Sequence, residues 1–347
     1  MSVRTIRGAV LASVVFSGAL VRAAEPTREL RAFFRQHMKI SDDQIATIAR
    51  GTAIAKVLSS NIPAEIFVFG AVFVNAAPEK YLRLAFNMGE LRKLPNYLGI
   101  GRISNPPMLS DLKGFTLEPQ DVAGLKDCRP GKCAVQLPAE GMRELQKAVD
   151  WSGPNVASQV NDRMQKSVLD YLRRYQKDGN SVLGIYRDQE HPFDTRAQLQ
   201  SWLGRSQALP VYFPELSHYL LEYPSATPTE VESLFYWEKV KFGLKPTLRL
   251  NHAIAYRSAG PRGAAHVIAV KQLYSSHYFQ FALDFTACVT GSGRTNDTGF
   301  YLISLKGSTQ QGLTGFRGSI MRRVVVRKTR SAQEKALIAI KKSLERQ

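Results

Sequence analysis

His252 and His277 are the side chains whose type and spacing are best suited to chemistry. Each falls in phase with apolar neighbours on a stretch of period two: Leu248, Leu250, Ile254 and Tyr256 flank the first, and Phe279 and Phe281 follow the second. A neutral imidazole in such a setting can orient a ligand or move a proton, with Tyr256, Tyr274 or Tyr278 placing a hydroxyl close by. It can equally be a core side chain satisfied by a carbonyl or a tyrosine hydroxyl, and the sequence leaves both readings open. Lys271, bordered by Ala269, Val270 and Leu273, either meets an anionic headgroup or snorkels; snorkelling to solvent is the favoured expectation. Trp237, beside Tyr236, reads as an anchor for neighbouring helices, with a gating role as the alternative.

Other reaction types lack their residues. Two scattered histidines do not make a metal site, and neither His-Glu-x-x-His nor an acidic triad occurs, so no metal and no cofactor is expected. The glycines from Gly312 to Gly318 lack the spacing of a dinucleotide fingerprint, Gly291-Ser-Gly-Arg-Thr has no phosphate-loop lysine, and no Gly-x-Ser-x-Gly elbow offers a nucleophile. Cys128-Arg-Pro-Gly-Lys-Cys133 sets two thiols around a Pro-Gly turn. That spacing suits a small structural disulfide better than zinc or a redox pair, because there is no second pair and no neighbouring histidine. Cys288 is expected to be an unpaired, inert thiol.

The elements that must position these residues are legible from periodicity. The run from His277 to Val289 puts His277, Phe279, Phe281, Leu283, Phe285, Ala287 and Val289 on one face, the pattern of a half-buried antiparallel strand with a bulge or bend in its length. Residues 247–257, 265–274 and 300–306 alternate similarly, and 65–75 is apolar on both faces, as a buried strand. Residues 28–58 read as helical, and Pro78 suits the first turn of a short helix followed by a second over 88–97. The middle, 137–224, breaks into helices at 141–150, 156–178, 195–206 and 215–222. Ser331-Ala-Gln-Glu334 has the form of a capping box opening a terminal helix with Leu337, Ile340 and Leu344 on one side; residues 316–330 extend that helix backward only if the Val324 to Val326 triplet permits it.

Strand, two short helices, antiparallel strands and a long closing helix resemble the START-like, or SRPBCC, helix-grip superfamily. The likeness rests on Val72-Phe-Val-Asn-Ala-Ala-Pro-Glu-Lys-Tyr-Leu and on Ala336-Leu-Ile-Ala-Ile-Lys-Lys-Ser-Leu-Glu345. Residues 235–246 and 271–279 are also similar to an exported bacterial family without assigned function. The resemblance implies an α+β fold in which a curved antiparallel sheet wraps the C-terminal helix and encloses an apolar cavity. Phe279, Phe281, Phe285, Tyr256, Tyr274, His252 and His277 would then be the ligand-binding residues, with His252 and His277 as catalytic candidates if a reaction occurs. The expected division is 1–23 signal peptide, 24–63 N-terminal helical segment, 64–136 first part of the grip domain, 137–234 helical insertion and 235–347 second part.

The 347-residue chain carries 47 Lys and Arg against 29 Asp and Glu, a net charge of +18. Its N-terminus has the arginines, apolar run and small residues of a secretory signal, with cleavage expected near Ala23, which predicts a periplasmic or secreted protein. Loss of Arg4, Arg7 and Arg22 lowers +18 by 3 to +15. Outside the cytoplasm so basic a chain points to anionic membrane surfaces rather than nucleic acid, with Arg322, Arg323, Arg327, Lys328 and Arg330 as the local cluster. The expected function is carriage of a hydrophobic or lipid-like ligand. An enzyme using histidine acid–base chemistry on such a ligand, and a structural or polyanion-binding envelope protein, are the alternatives.

Overall fold

The computed structural model describes residues 25–93, 96–225, 227–242, 245–258, 265–291 and 299–346; the expected signal segment lies outside them. Helices α1 (Arg28–Gln36) and α2 (Asp42–Ala49) open the described chain. Ser41 and Gln44 form a reciprocal cap on α2, and Gly51, with φ at +83°, turns the chain out of it. The end of the stretch expected to be helical is instead the strand β1 (Ile54–Leu58), which pairs residue for residue with β2 (Glu65–Val74). The register sets Ala55 opposite Gly70 and Val57 opposite Val68.

Helices α3 (Pro78–Ala85) and α4 (Met88–Arg92) lead to β3 (Tyr97–Ile103). The chain then leaves the sheet for α5 (Pro119–Leu125), α6 (Ala139–Ala148), α7 (Val156–Asp178), the short pair β4 (Ile185–Tyr186) and β5 (Phe193–Asp194), α8 (Thr195–Arg205), α9 (Leu209–Tyr212) and α10 (Pro214–Glu222). It returns as β6 (Val231–Phe242), β7 (Lys245–Ser258), β8 (Ala265–Ser275), β9 (Phe279–Thr290) and β10 (Phe300–Gln310), and closes with α11 (Gly315–Glu345). The eight long strands form one antiparallel sheet in the order β1-β2-β10-β9-β8-β7-β6-β3, whose ends do not meet in a barrel.

Alternation of side chains gives the sheet two differently covered faces. On one, the helices between β3 and β6 bury Leu248, Leu250, Ile254, Phe281 and Leu283, while α1 and α2 bury Phe69, Phe73, Tyr301 and Ile303. Glycines admit the large side chains of this layer. A Cβ on Gly101 would stand 2.5 Å from the Trp237 indole, and that indole donates to the Asp111 carbonyl at 2.8 Å, which makes Trp237 an anchor. On the other face, Leu337 and Leu344 of α11 and Tyr81 of α3 pack on Val72, Val74, Cys288 and Leu302.

The terminal helix therefore lies on the face opposite the aromatic side of β9. It runs along β2, with Leu337 and Gln333 against Gly70 and Lys341 donating to the Phe73 carbonyl at 2.9 Å. The roof expected for Phe281 and Phe285 comes instead from α8, whose Trp202 ring sits 5.0 Å from that of Phe281. The helix also starts at Gly315, so Ser331 is an interior residue and its cap pattern is unused. Val325 and Val326 are half-buried against Val68 and Ile66, which offsets their low helix propensity.

Candidate functional site

A size step along β9 shapes one apolar hollow. Its inward positions read Phe281, Leu283, Phe285, then Ala287 and Val289, so bulky side chains give way to smaller ones along the strand. Beyond Phe285 the two groups of covering helices touch through Phe33 and Tyr212 but leave a gap above the sheet. Between α1 on one side and α9 and α10 on the other opens a cleft of about 710 Å³, floored by Ala265, Ala287, Val289, Ile303 and Tyr256. That volume falls within the range of small-molecule sites.

Local sequence fixes its walls. Thr27 caps α1 by accepting from Leu30 N at 3.1 Å, which directs Leu30 into the core and leaves Phe33 at the cleft. Phe33 meets Tyr212 of α9 edge-on at 5.3 Å. Pro214 at the first turn of α10 sets Glu215 on the rim, where its Oε2 accepts from the Tyr256 hydroxyl at 3.0 Å. Burial, followed by that carboxylate, raises the Tyr256 pKa. Glu29, Glu230, Arg257 and Ser258 complete the polar rim, so its formal charge is negative in a strongly basic molecule.

The other expected ligand residues do not converge here. Phe281 is fully buried under Trp202, and Phe285 lines a separate hollow of about 270 Å³ beside Trp202 and Leu203. Phe279 lies at the far end of β9, 4.4 Å from Phe242 and beneath Arg249. Tyr274 borders another hollow of about 300 Å³ with Tyr171 and Tyr186, and its buried hydroxyl has no partner among the described residues. Of the seven expected ligand-binding residues, Tyr256 is the one that lines this cleft.

The two histidines occupy separate interiors. His252 is stacked on Phe235 at 4.6 Å and touches Tyr223 at 4.7 Å; its Nδ1 lies 3.2 Å from the Tyr175 hydroxyl, and its Nε2 is without a hydrogen bond among the described residues. Burial, then the neighbouring Lys271, pushes its pKa well down, so the ring is neutral. His277 instead sets Nε2 2.8 Å from Asp121 Oδ2, and Lys245 donates to the other oxygen of Asp121 at 2.9 Å. Burial alone would raise the Asp121 pKa, but the hydrogen bonds from His277 and Lys245 outweigh it and hold it low. His252 pairs across the ladder with Lys271, whereas His277 lies past the end of β8 at Ser275, about 13 Å further along the strand direction. The imidazoles do not address one reacting atom.

Lys271 departs most from expectation. Its side chain is fully buried rather than snorkelling, with Nζ donating to Asn180 Oδ1 at 2.7 Å and standing 5.1 Å from the Tyr175 ring centre and 5.3 Å from that of Tyr223. Burial brings its pKa down to about 7. Nothing local to β8 announces this, because Asn180, Tyr175 and Tyr223 arrive from the helical excursion.

The α11 face of the sheet carries a polar row that sequence reasoning missed. Glu238 Oε1 accepts from Arg249 at 2.9 Å and Asn251 at 3.1 Å, and Arg249 Nε donates to Gln272 at 3.2 Å. Charges alternating with apolar residues along β6 and β7 were the available signal. Cys128 and Cys133 are joined by a disulfide, and Cys288 is free and buried, its thiol pKa raised by burial. No group of three or more potential metal ligands gathers among the described residues. The chain matches no protein-family model, no curated protein and no solved structure.

Proposed function

We propose that the protein is an exported, non-catalytic binder of a small amphipathic molecule, held in the cleft between α1 and α9–α10. The observation that carries this reading is the hollow of about 710 Å³ with an apolar floor and a polar rim. A guest there trades its own hydration for contact with Ala287, Val289, Ile303 and Phe33, at about 25 cal/mol per Å² of apolar surface removed from water. Glu29, Glu215 and Glu230 outnumber Arg257 on the rim, which favours a neutral or cationic head over a carboxylate. The disulfide and the signal-like N-terminus support an oxidising, exported setting.

The strand order supports kinship with the helix-grip superfamily: β2, two short helices, β3, then five antiparallel strands returning to β2 and a closing helix. The proposed site departs from that pattern, since it lies on the face away from α11. The test is titration with an apolar fluorescent dye and displacement by a tetradecyl amphiphile with a trimethylammonium head. One-to-one binding that Ala287→Trp weakens at least tenfold is expected. Unchanged binding in a folded Ala287→Trp variant would remove the cleft from consideration.

A further inference from the structure

The outward side of α11 has a composition that water alone does not explain. Its inward stripe, from Gly318 through Gln333 and Leu337 to Leu344, is buried on the sheet. Opposite, Phe316 is 86% exposed, Ile320 56% and Met321 54%. Phe316 and Ile320 are one turn apart, and the same outward row continues through Arg323, Arg327 and Arg330, all exposed. Arg317 and Lys328 flank it, and no acidic residue occurs from Gly315 to Gln333.

We infer that this half of α11 docks the protein on an anionic lipid surface. Three bare apolar side chains at the start of the helix would enter the acyl boundary. The cations would follow at phosphate depth, along about 20 Å of helix. A nucleic acid would engage the arginines but leave Phe316, Ile320 and Met321 in water; a second copy of the helix would meet its own positive charge. Bilayer chemistry uses both features, and it does so on the face of the sheet opposite the cleft.

Vesicle flotation of the purified protein tests this with phosphatidylcholine alone and with three-tenths phosphatidylglycerol, at low and moderate salt. Preferential binding to the anionic vesicles is expected, lowered about tenfold by Phe316→Ser with Ile320→Ser and more than about twentyfold by Arg323→Glu with Arg327→Glu. All four side chains are exposed, so the variants keep the fold, which circular dichroism checks. Equal binding to both vesicle types would overturn the inference. So would retention of vesicle binding by the Ser pair, or duplex DNA binding that matches vesicle binding and ignores the Ser pair, which would mark a general polyanion surface.

Discussion

Replacing Lys271 by Met separates a buried charge from the contacts around it. The amine pKa falls from 10.5 to about 7, a cost of about 5 kcal/mol for keeping the charged form in the fold at low pH. At pH 7, with half the folded population neutral, about 4 kcal/mol of stability is forgone; at pH 9.5 only about 1.4 kcal/mol is. The sign follows from proton counting. Between pH 7 and 10.5 the unfolded chain holds the proton that the folded chain has released, so this group makes stability rise with pH. Lys271→Met lacks the effect but strands Asn180 Oδ1, at about 1–3 kcal/mol whatever the pH. The difference in unfolding free energy between variant and wild type should therefore shift by about 3 kcal/mol, against the variant, from pH 7 to 9.5. Urea unfolding at several pH values measures it. A difference that stays constant with pH would refute the claim that a buried, neutralised amine sits beneath Tyr175 and Tyr223.

Asp121→Ala removes the acceptor shared by His277 and Lys245 and should cost about 3 kcal/mol, read as a lowered urea midpoint. Because the Asp121 pKa is depressed, its contribution is present above the usual carboxylate range and disappears as pH falls through the folded value; wild type and variant should converge in acid. Cys128→Ser with Cys133→Ser opens the short loop closed by the disulfide and should lose about 2 kcal/mol. Dye binding should survive that change, since neither cysteine borders the cleft.

Many strands and helices are legible from a period the sequence displays: α7 spans the expected 156–178. β9 is a strand as expected, but it begins at Phe279 and its burial does not alternate, since Ala282 and Cys288 of the other face are covered as well. Periodicity identifies which face of β9 is apolar but carries no information about what covers it. Both the helical excursion and α11 have apolar stripes to bury, and only tertiary packing assigned them to opposite faces. The same limit hid the site. Phe281 and Phe285 drew notice by their bulk, yet bulk fills space, and the opening lies where Ala287 and Val289 leave it unfilled. Lys271 departs from its local pattern for a related reason: a lysine on a strand is satisfied or not by partners far away in sequence, here 91 residues distant at Asn180.

Photolabelling locates the guest most directly. An alkyl amphiphile bearing a diazirine in its chain, irradiated with the folded protein and mapped by peptide mass spectrometry, should mark Phe33, Val211, Tyr212 and Val289, and be competed by the unlabelled amphiphile. Labelling confined to peptides outside the cleft, or spread over the surface without competition, would contradict the assignment of that cleft as the binding site.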